Sequence, residues 1–318
     1  MPLTEKSIIA AIRAQATRNR GVALGIGDDC AVLCVPANHE MLVTTDFSLE
    51  GMHFRRDWHP PEVVGHRALT RGLSDIAAMG GQPLAAFLSM ALPRRSSKAW
   101  VDRFLNGLLK LAETFRVSLA GGDTAESREG ILVDIVVVGS VPEGKAVRRS
   151  GARPGDRVFV TGELGGSAAA LNLLFSGRKL RANQFPHHFH PVPRVGVGRL
   201  VREHGLASAM IDISDGLSTD LAHICEESEV GAEIQAEAIP RARIGKTGVE
   251  ADLKFALHGG DDYELLFTSS GDKPIPAKIS GVRLTEVGRI TRAKHIVIRD
   301  KNGAGRELQP QGWQHFKK

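Results

Sequence analysis

The chain has 318 residues, a formal net charge of +5, 42% hydrophobic and 24% charged residues, a length and balance ordinary for one large or two average globular domains. No apolar run approaches the ~18 residues that span a bilayer, and three cysteines (Cys30, Cys34 and Cys225) provide neither a disulfide framework nor a zinc set. The basic residues are spread out and a single tyrosine leaves them without a stacking platform for bases, so small anionic substrates suit the charge as well as nucleic acid does.

The opening MPLTEKSIIAAIRAQATRNR reads as an amphipathic helix capped by Thr4, with no apolar block and cleavage site of a signal peptide. The cysteine usage places the chain in a reducing cytosol, with single buried or half-buried thiols. "MLVTTD" (41–46) is a strand ending in polar residues and an acid. Residues 61–79 form a helix that starts at Pro61 and stops at Gly80-Gly81. A buried strand (84–92), a helix (97–115) and two strands around "VSLAGGDT" and 131–141 follow. The Gly-, Pro- and charge-rich segment 142–157 marks a domain boundary, giving domains 1–145 and 146–318. Beyond it come the strand "RVFVTG", a helix from about 166, a polar surface connection (176–193), a helix (194–204), a strand into Asp212 and a helix (215–228). Strands at 263–268, around 286–290 and at 295–300, the last turning at "KNGAG", complete the chain. Helices interleaved with strands in both halves predict two α+β domains, each a mixed sheet with helices on a face.

Aspartates recur in one setting, after an apolar run and beside glycine, serine or threonine. They are Asp28 and Asp29 after "ALGI", Asp46 after Thr44-Thr45, Asp75 in a helix, Asp123 after Gly121-Gly122, Asp212 and Asp215 in "IDISDGL", and Asp261 and Asp262 after Gly259-Gly260. Each has a structural explanation on its own: Ser214 or Asp215 as an N-cap, Asp28 or Asp29 in an Asx-turn, Asp75 facing solvent. Acids at strand ends also converge on one edge of a layered fold, where ligands bind. Two like charges ~4 Å apart repel by about 4 kcal/mol at an effective dielectric of 20, so clustered carboxylates need cations. Oxygen donors without sulfur or imidazole favour Mg²⁺, which is held by a few carboxylates together with substrate phosphates. No P-loop is present. The turn in "TGELGGSAAAL" (161–171) reads as structural packing more than as an anion cradle.

The stretches "GIGDDCAVL", "TTDFSLEGMHF", "LSDIAAMGGQP", "GGDT", "RSGARPGD", "IDISDGLSTDL", "GGDDYELLF" and "GWQHF" together resemble the thiamine-monophosphate kinase family, in its order and over nearly the whole chain. The resemblance implies a two-domain α/β enzyme. Its N-terminal ATP/Mg-binding domain would pair its sheet across a homodimer, and its C-terminal α+β layered domain would complete the active site. The reaction would carry the γ-phosphoryl of ATP to thiamine monophosphate. By motif, Asp29, Thr44, Thr45, Asp46, Asp75, Asp123, Asp212 and Asp215 match the family's magnesium set. Gly122, Asp123, Arg149 and Ser214 match its ATP contacts, and His53, Asp261 and Trp313 its substrate contacts. At Asp261 the chain departs from the family's pattern, which carries glutamate there, and a side chain one methylene shorter would reach the substrate differently. The acceptor's phosphate has its second pKa near 6 and is already a nucleophile at neutral pH, so no general base is expected. The alternatives are another enzyme of the aminoimidazole-ribonucleotide-synthetase-like superfamily, or a non-catalytic binding protein for metal or nucleic acid. "FSLEGMHF" lacks the lysine expected of the former; neither an EF-hand loop nor a basic aromatic stripe supports the latter.

Overall fold

The computed structural model describes residues 5–16, 21–26, 30–245 and 248–313. Two compact units divide it: Met1–Ile76 with Gly81–Gly144, and Ala77–Gly80 with Lys145–Lys318.

The first unit contains helix α1 (Glu5–Gln15), a small β1–β2 pair (Val22–Leu24 and Val32–Leu33), and a four-stranded sheet. Its strands are β3 (His39–Leu49), β4 (Gln82–Pro93), β5 (Ser118–Ser127) and β6 (Leu132–Pro142), in the order β3-β6-β4-β5. Only the β4–β5 pair is parallel, so the sheet is mixed. Helices α2 (Pro61–Ala78) and α3 (Lys98–Phe115) follow β3 and β4. α3 forms because Val101, Phe104, Leu105, Leu108 and Leu111 recur at helical spacing and are all buried. Ser97 caps it by accepting from the Trp100 amide, and Arg116 ends it in a left-handed conformation. The alternation of β3 leaves Met41, Val43 and Phe47 more than half exposed at the sheet's edge, while Leu42 and Ser48 are buried.

The second unit is built on an eight-stranded mixed sheet. In chain order it carries β7 (Arg157–Thr161), α4 (Gly166–Phe175), α5 (Pro186–Phe189), α6 (Val195–Glu203), β8 (Ala209–Ile213), α7 (Leu217–Ser228) and β9 (Gly231–Gln235). The short pair β10–β11 (Arg243–Ile244 and Val249–Glu250) and α8 (Leu253–His258) come next. β12 (Glu264–Ser269), β13 (Lys278–Ile279), β14 (Val282–Thr291), β15 (Ile296–Arg299) and β16 (Gly305–Glu307) complete it. The order is β16-β15-β9-β14-β7-β12-β8, with β13 beside β14. β8 and β12 are buried at every position, which explains why "AMIDI" and "ELLFTS" read as near-continuous apolar runs instead of alternating ones.

Three expectations need correction. Segment 176–193 is not merely a surface connection: His188 and Phe189 on α5 are buried, held by an edge-to-face ring contact and by a 3.0 Å bond between His188 Nδ1 and Ser167 Oγ. Cys30 and Cys34 are exposed; only Cys225 is buried, and burial pushes its thiol up to about 12. The helix expected from 215 starts at Leu217, because Gly216 sits at φ 114 and breaks the helical path. The proposed cap Thr4 lies outside the described residues. No helix among the described residues is long and apolar enough to cross a membrane.

Candidate active site

Each unit presents its own acidic group. In the first, the pleat of β3 turns Thr44 and Asp46 to one face and Thr45 to the other. Thr44 Oγ1 donates to Asp75 Oδ2 on α2, so Asp75 is engaged by the sheet and does not simply face solvent. One turn earlier on the same helix, Arg71 comes within 3.9 Å of Asp46. Thr45 Oγ1 donates to Asp134 Oδ1 at 2.7 Å. His53 follows the end of β3, and its Nδ1 accepts from the Leu49 amide at 3.0 Å. A neutral ring there carries its proton on Nε2.

Asp123 is not brought to this cluster within one chain. Asp46 is in register with Ile135, Ile135 with Leu88, and Leu88 with Gly122, across the whole sheet. Three strand spacings of ~4.8 Å separate the two edges by about 14 Å. Two carboxylates so placed cannot share an ion bound at ~2 Å. Gly122 itself has φ 146, and a Cβ there would lie 1.8 Å from the Leu88 carbonyl oxygen, so β5 tolerates only glycine at this point. Asp29 lies outside the described residues.

In the second unit the chemistry gathers around the turn 213–216. Asp212 is the penultimate residue of β8 at 3% exposure, while Ser214 and Asp215 are half-buried. Neither Ser214 nor Asp215 caps α7; its N-terminal position is Gly216, without a side-chain cap. Asp220, one turn into the helix, reaches back and accepts from the Asp215 and Gly216 amides at 3.2 and 3.0 Å. Burial drives the Asp220 carboxyl well above the usual range, and the charges of Asp212 and Asp215 push it further, against those two amide bonds. Asp215, Asp220 and His223 offer ligand atoms within 4.8 Å of one another. Asp220 and His223 escaped the sequence reading because an acid in a first helical turn usually just answers the dipole. The signal available was their helical spacing behind Asp215.

Two further segments close on the same turn. The Asp261 amide donates to the Ser214 carbonyl at 2.8 Å, and a Cβ on Gly260 would sit 2.4 Å from that carbonyl oxygen, so the close approach requires glycine. On the C-terminal segment, the Gly312 amide donates to Thr219 Oγ1 at 3.0 Å and the Trp313 amide to the Asp215 carbonyl at 3.2 Å. Asp212, Ser214, Asp215, Asp261 and Trp313 are therefore assembled from three separate stretches of chain. Trp313 is 47% exposed, a side chain presented to solvent and not a core anchor. Arg149 is exposed, and its carbonyl accepts from Ser228 Oγ. The Gly-rich turn before α4 is occupied from within: the Gly165 amide donates to Asp262 Oδ2 at 2.7 Å, consistent with a packing role.

Comparison with known proteins identifies the family. Residues 27–141 match the family "AIR synthase related protein, N-terminal domain" and residues 153–301 its C-terminal counterpart. Thiamine-monophosphate kinase of Escherichia coli (strain K12) is 36% identical over 306 residues, 93% of this chain and 92% of that protein. The chain belongs to the thiamine-monophosphate kinase family. A crystal structure of thiamine-monophosphate kinase from Stenotrophomonas maltophilia K279a superposes with a TM-score of 0.81 at 34% identity, covering 94% of this chain and 97% of that one. A second solved member, AaThiL complexed with AMPPCP and TMP, gives 0.78 at 32% identity, covering 89% of each chain.

Family members act on phosphates, and the chain's donors suit a hard divalent cation. The buried Asp220 carboxyl, crowded by Asp212 and Asp215, is an arrangement that a cation would relieve. The ligand atoms gathered at this turn are two carboxylates and the His223 imidazole, so oxygen is the more numerous donor.

Proposed function

We propose that this chain transfers the γ-phosphoryl group of ATP to thiamine monophosphate, giving thiamine diphosphate and ADP, the last step of thiamine diphosphate synthesis. The observation that carries this is the near-full-length match to a family member solved with AMPPCP, a non-hydrolysable ATP analogue, and TMP. Asp29, Thr44, Thr45, Asp46, Asp75, Asp123, Asp212 and Asp215 would hold several Mg²⁺ ions. Gly122, Asp123, Arg149 and Ser214 would contact ATP, and His53, Asp261 and Trp313 the acceptor. Mg²⁺, when bound, offsets the repulsion between two phosphate-bearing anions. The chain's own part is to hold the acceptor: an aromatic face at Trp313 suits a flat cationic heterocycle, and a carboxylate at Asp261 complements its charge. No side chain need act as base, since the acceptor phosphate is largely deprotonated at neutral pH.

We assign residues 1–145 to ATP/Mg binding and dimerisation and 146–318 to completing the site, in the cytoplasm. A homodimer is supported by the apolar row Met41, Val43 and Phe47 on the edge strand β3, which monomeric proteins seldom leave uncovered. Sedimentation velocity at micromolar concentration is expected to give a single dimeric species; a monomer with full activity would overturn this part.

The test of the activity is ADP release on adding thiamine monophosphate, thiamine or an aminoimidazole precursor in parallel. Turnover is expected with thiamine monophosphate and not with the aminoimidazole precursor. A stable phosphorylated protein after ATP alone would exclude direct transfer.

A further inference from the structure

We propose that Tyr263 is a positioning residue that fixes the direction of the Asp261 carboxylate and thereby sets affinity for the acceptor. This rests on the reading of Asp261 as an acceptor contact. The segment Gly259–Tyr263 joins α8 to β12, and both Asp261 (φ 64) and Tyr263 (φ 52) are left-handed, a conformation that residues with a Cβ adopt rarely and at a cost. Nothing in the chain's connectivity demands this. Glu264 already pairs in register with Ile213, and an ordinary extended entry to β12 would serve the sheet.

The observed path is enforced from outside. The Asp261 amide is bound to the Ser214 carbonyl at 2.8 Å and the Tyr263 amide to the Ile213 carbonyl at 2.9 Å, so the loop is tied down at both left-handed positions. The consequence is that the phenol folds back over the loop and its hydroxyl donates to Asp261 Oδ1 at 2.6 Å. The ring that carries this donor is 2% exposed, whereas Asp261 is half-buried. An immobile donor thus holds a carboxylate that lies at the edge of solvent, beside the Ser214–Asp215 segment to which the Trp313 backbone is also bound.

A short charge-assisted bond to a carboxylate is among the stronger hydrogen bonds and restricts its rotamer. Pre-organisation of this kind removes an ordering cost at binding.

Tyr263→Phe removes only the hydroxyl and keeps the buried ring. With wild type, Tyr263→Phe, Asp261→Asn and the double variant compared, Tyr263→Phe is expected to raise KM for thiamine monophosphate about tenfold. Its KM for ATP and its Tm should stay at wild-type values. The double variant should be no worse than Asp261→Asn alone, since the proposed effect of the hydroxyl on the acceptor runs through that carboxylate. An unchanged acceptor KM in Tyr263→Phe or in Asp261→Asn overturns the proposal. So do multiplying effects in the double variant, and so does a fallen Tm with kcat loss at constant KM, which would mark the bond as structural only. A wild-type protein that releases no ADP with thiamine monophosphate overturns the functional reading itself, and is told apart by needing no variant.

Discussion

Asp212→Asn is expected to lower kcat by about 10²–10³-fold, the loss typical when one electrostatic element is removed from a pre-organised site. The fold should survive, for a physical reason visible around the residue. Asp212 is 3% exposed, and its charge presses on the buried Asp220 together with that of Asp215. In the absence of divalent ions the substitution relieves like-charge repulsion, so Tm in EDTA should be unchanged or higher than wild type. With magnesium present the ordering should reverse, because wild type gains more from an ion that binds only the folded state. The measurement is a pair of thermal melts, with EDTA and with Mg²⁺, beside the ADP-release assay. Near-normal turnover at ordinary magnesium would remove Asp212 from the proposed metal set.

Glu264→Gln should produce the largest loss of stability of any single change considered. Glu264 is 1% exposed at the start of β12 and receives Arg194 Nε at 2.7 Å, a second guanidinium nitrogen, and the buried Thr161 hydroxyl at 2.5 Å. Burial pulls the Arg194 pKa down, but the Glu264 hydrogen bond and charge more than reverse this, and the net shift is upward. Taking the charge from Glu264 leaves the Arg194 guanidinium, whose side chain is 20% exposed, uncompensated, at a cost of about 3 kcal/mol, the low end of the range for such pairs. For a unit of this size the corresponding fall in Tm is roughly 10 °C. Replacing both partners with apolar residues, Arg194→Met with Glu264→Leu, should recover much of the loss, because a buried pair as a whole is worth little more than good packing. A fall in Tm of under ~2 °C for Glu264→Gln would contradict this account.

Much of the fold was legible in the sequence wherever the period was clear. The helices α2 and α3 carry apolar residues at helical spacing between recognisable start and stop residues. The strands β4, β7, β8 and β12 are apolar runs bounded by glycine, proline or charge. Short pairs such as β10–β11 were not legible, since two residues have no period. The burial of His188 was missed for a different reason. Its bond to Ser167 joins residues 21 positions apart, and the polar composition of 176–193 argues for the surface until that partner is known.

The candidate site divides the same way. Residue types and their order along the chain determined the family, the class of chemistry and which acids to consider, because these depend on local motifs. Only the tertiary structure decided which of those acids meet. It set Asp212, Asp215 and Asp220 around one turn, and it joined Asp75 to Thr44 across a helix and a strand. It also put Asp46 and Asp123 on opposite edges of one sheet. The strand order β3-β6-β4-β5 is the cause: a sheet's order is fixed by which hydrogen-bonded neighbours bury the most apolar surface together, a property of pairs far apart in sequence that no single stretch encodes.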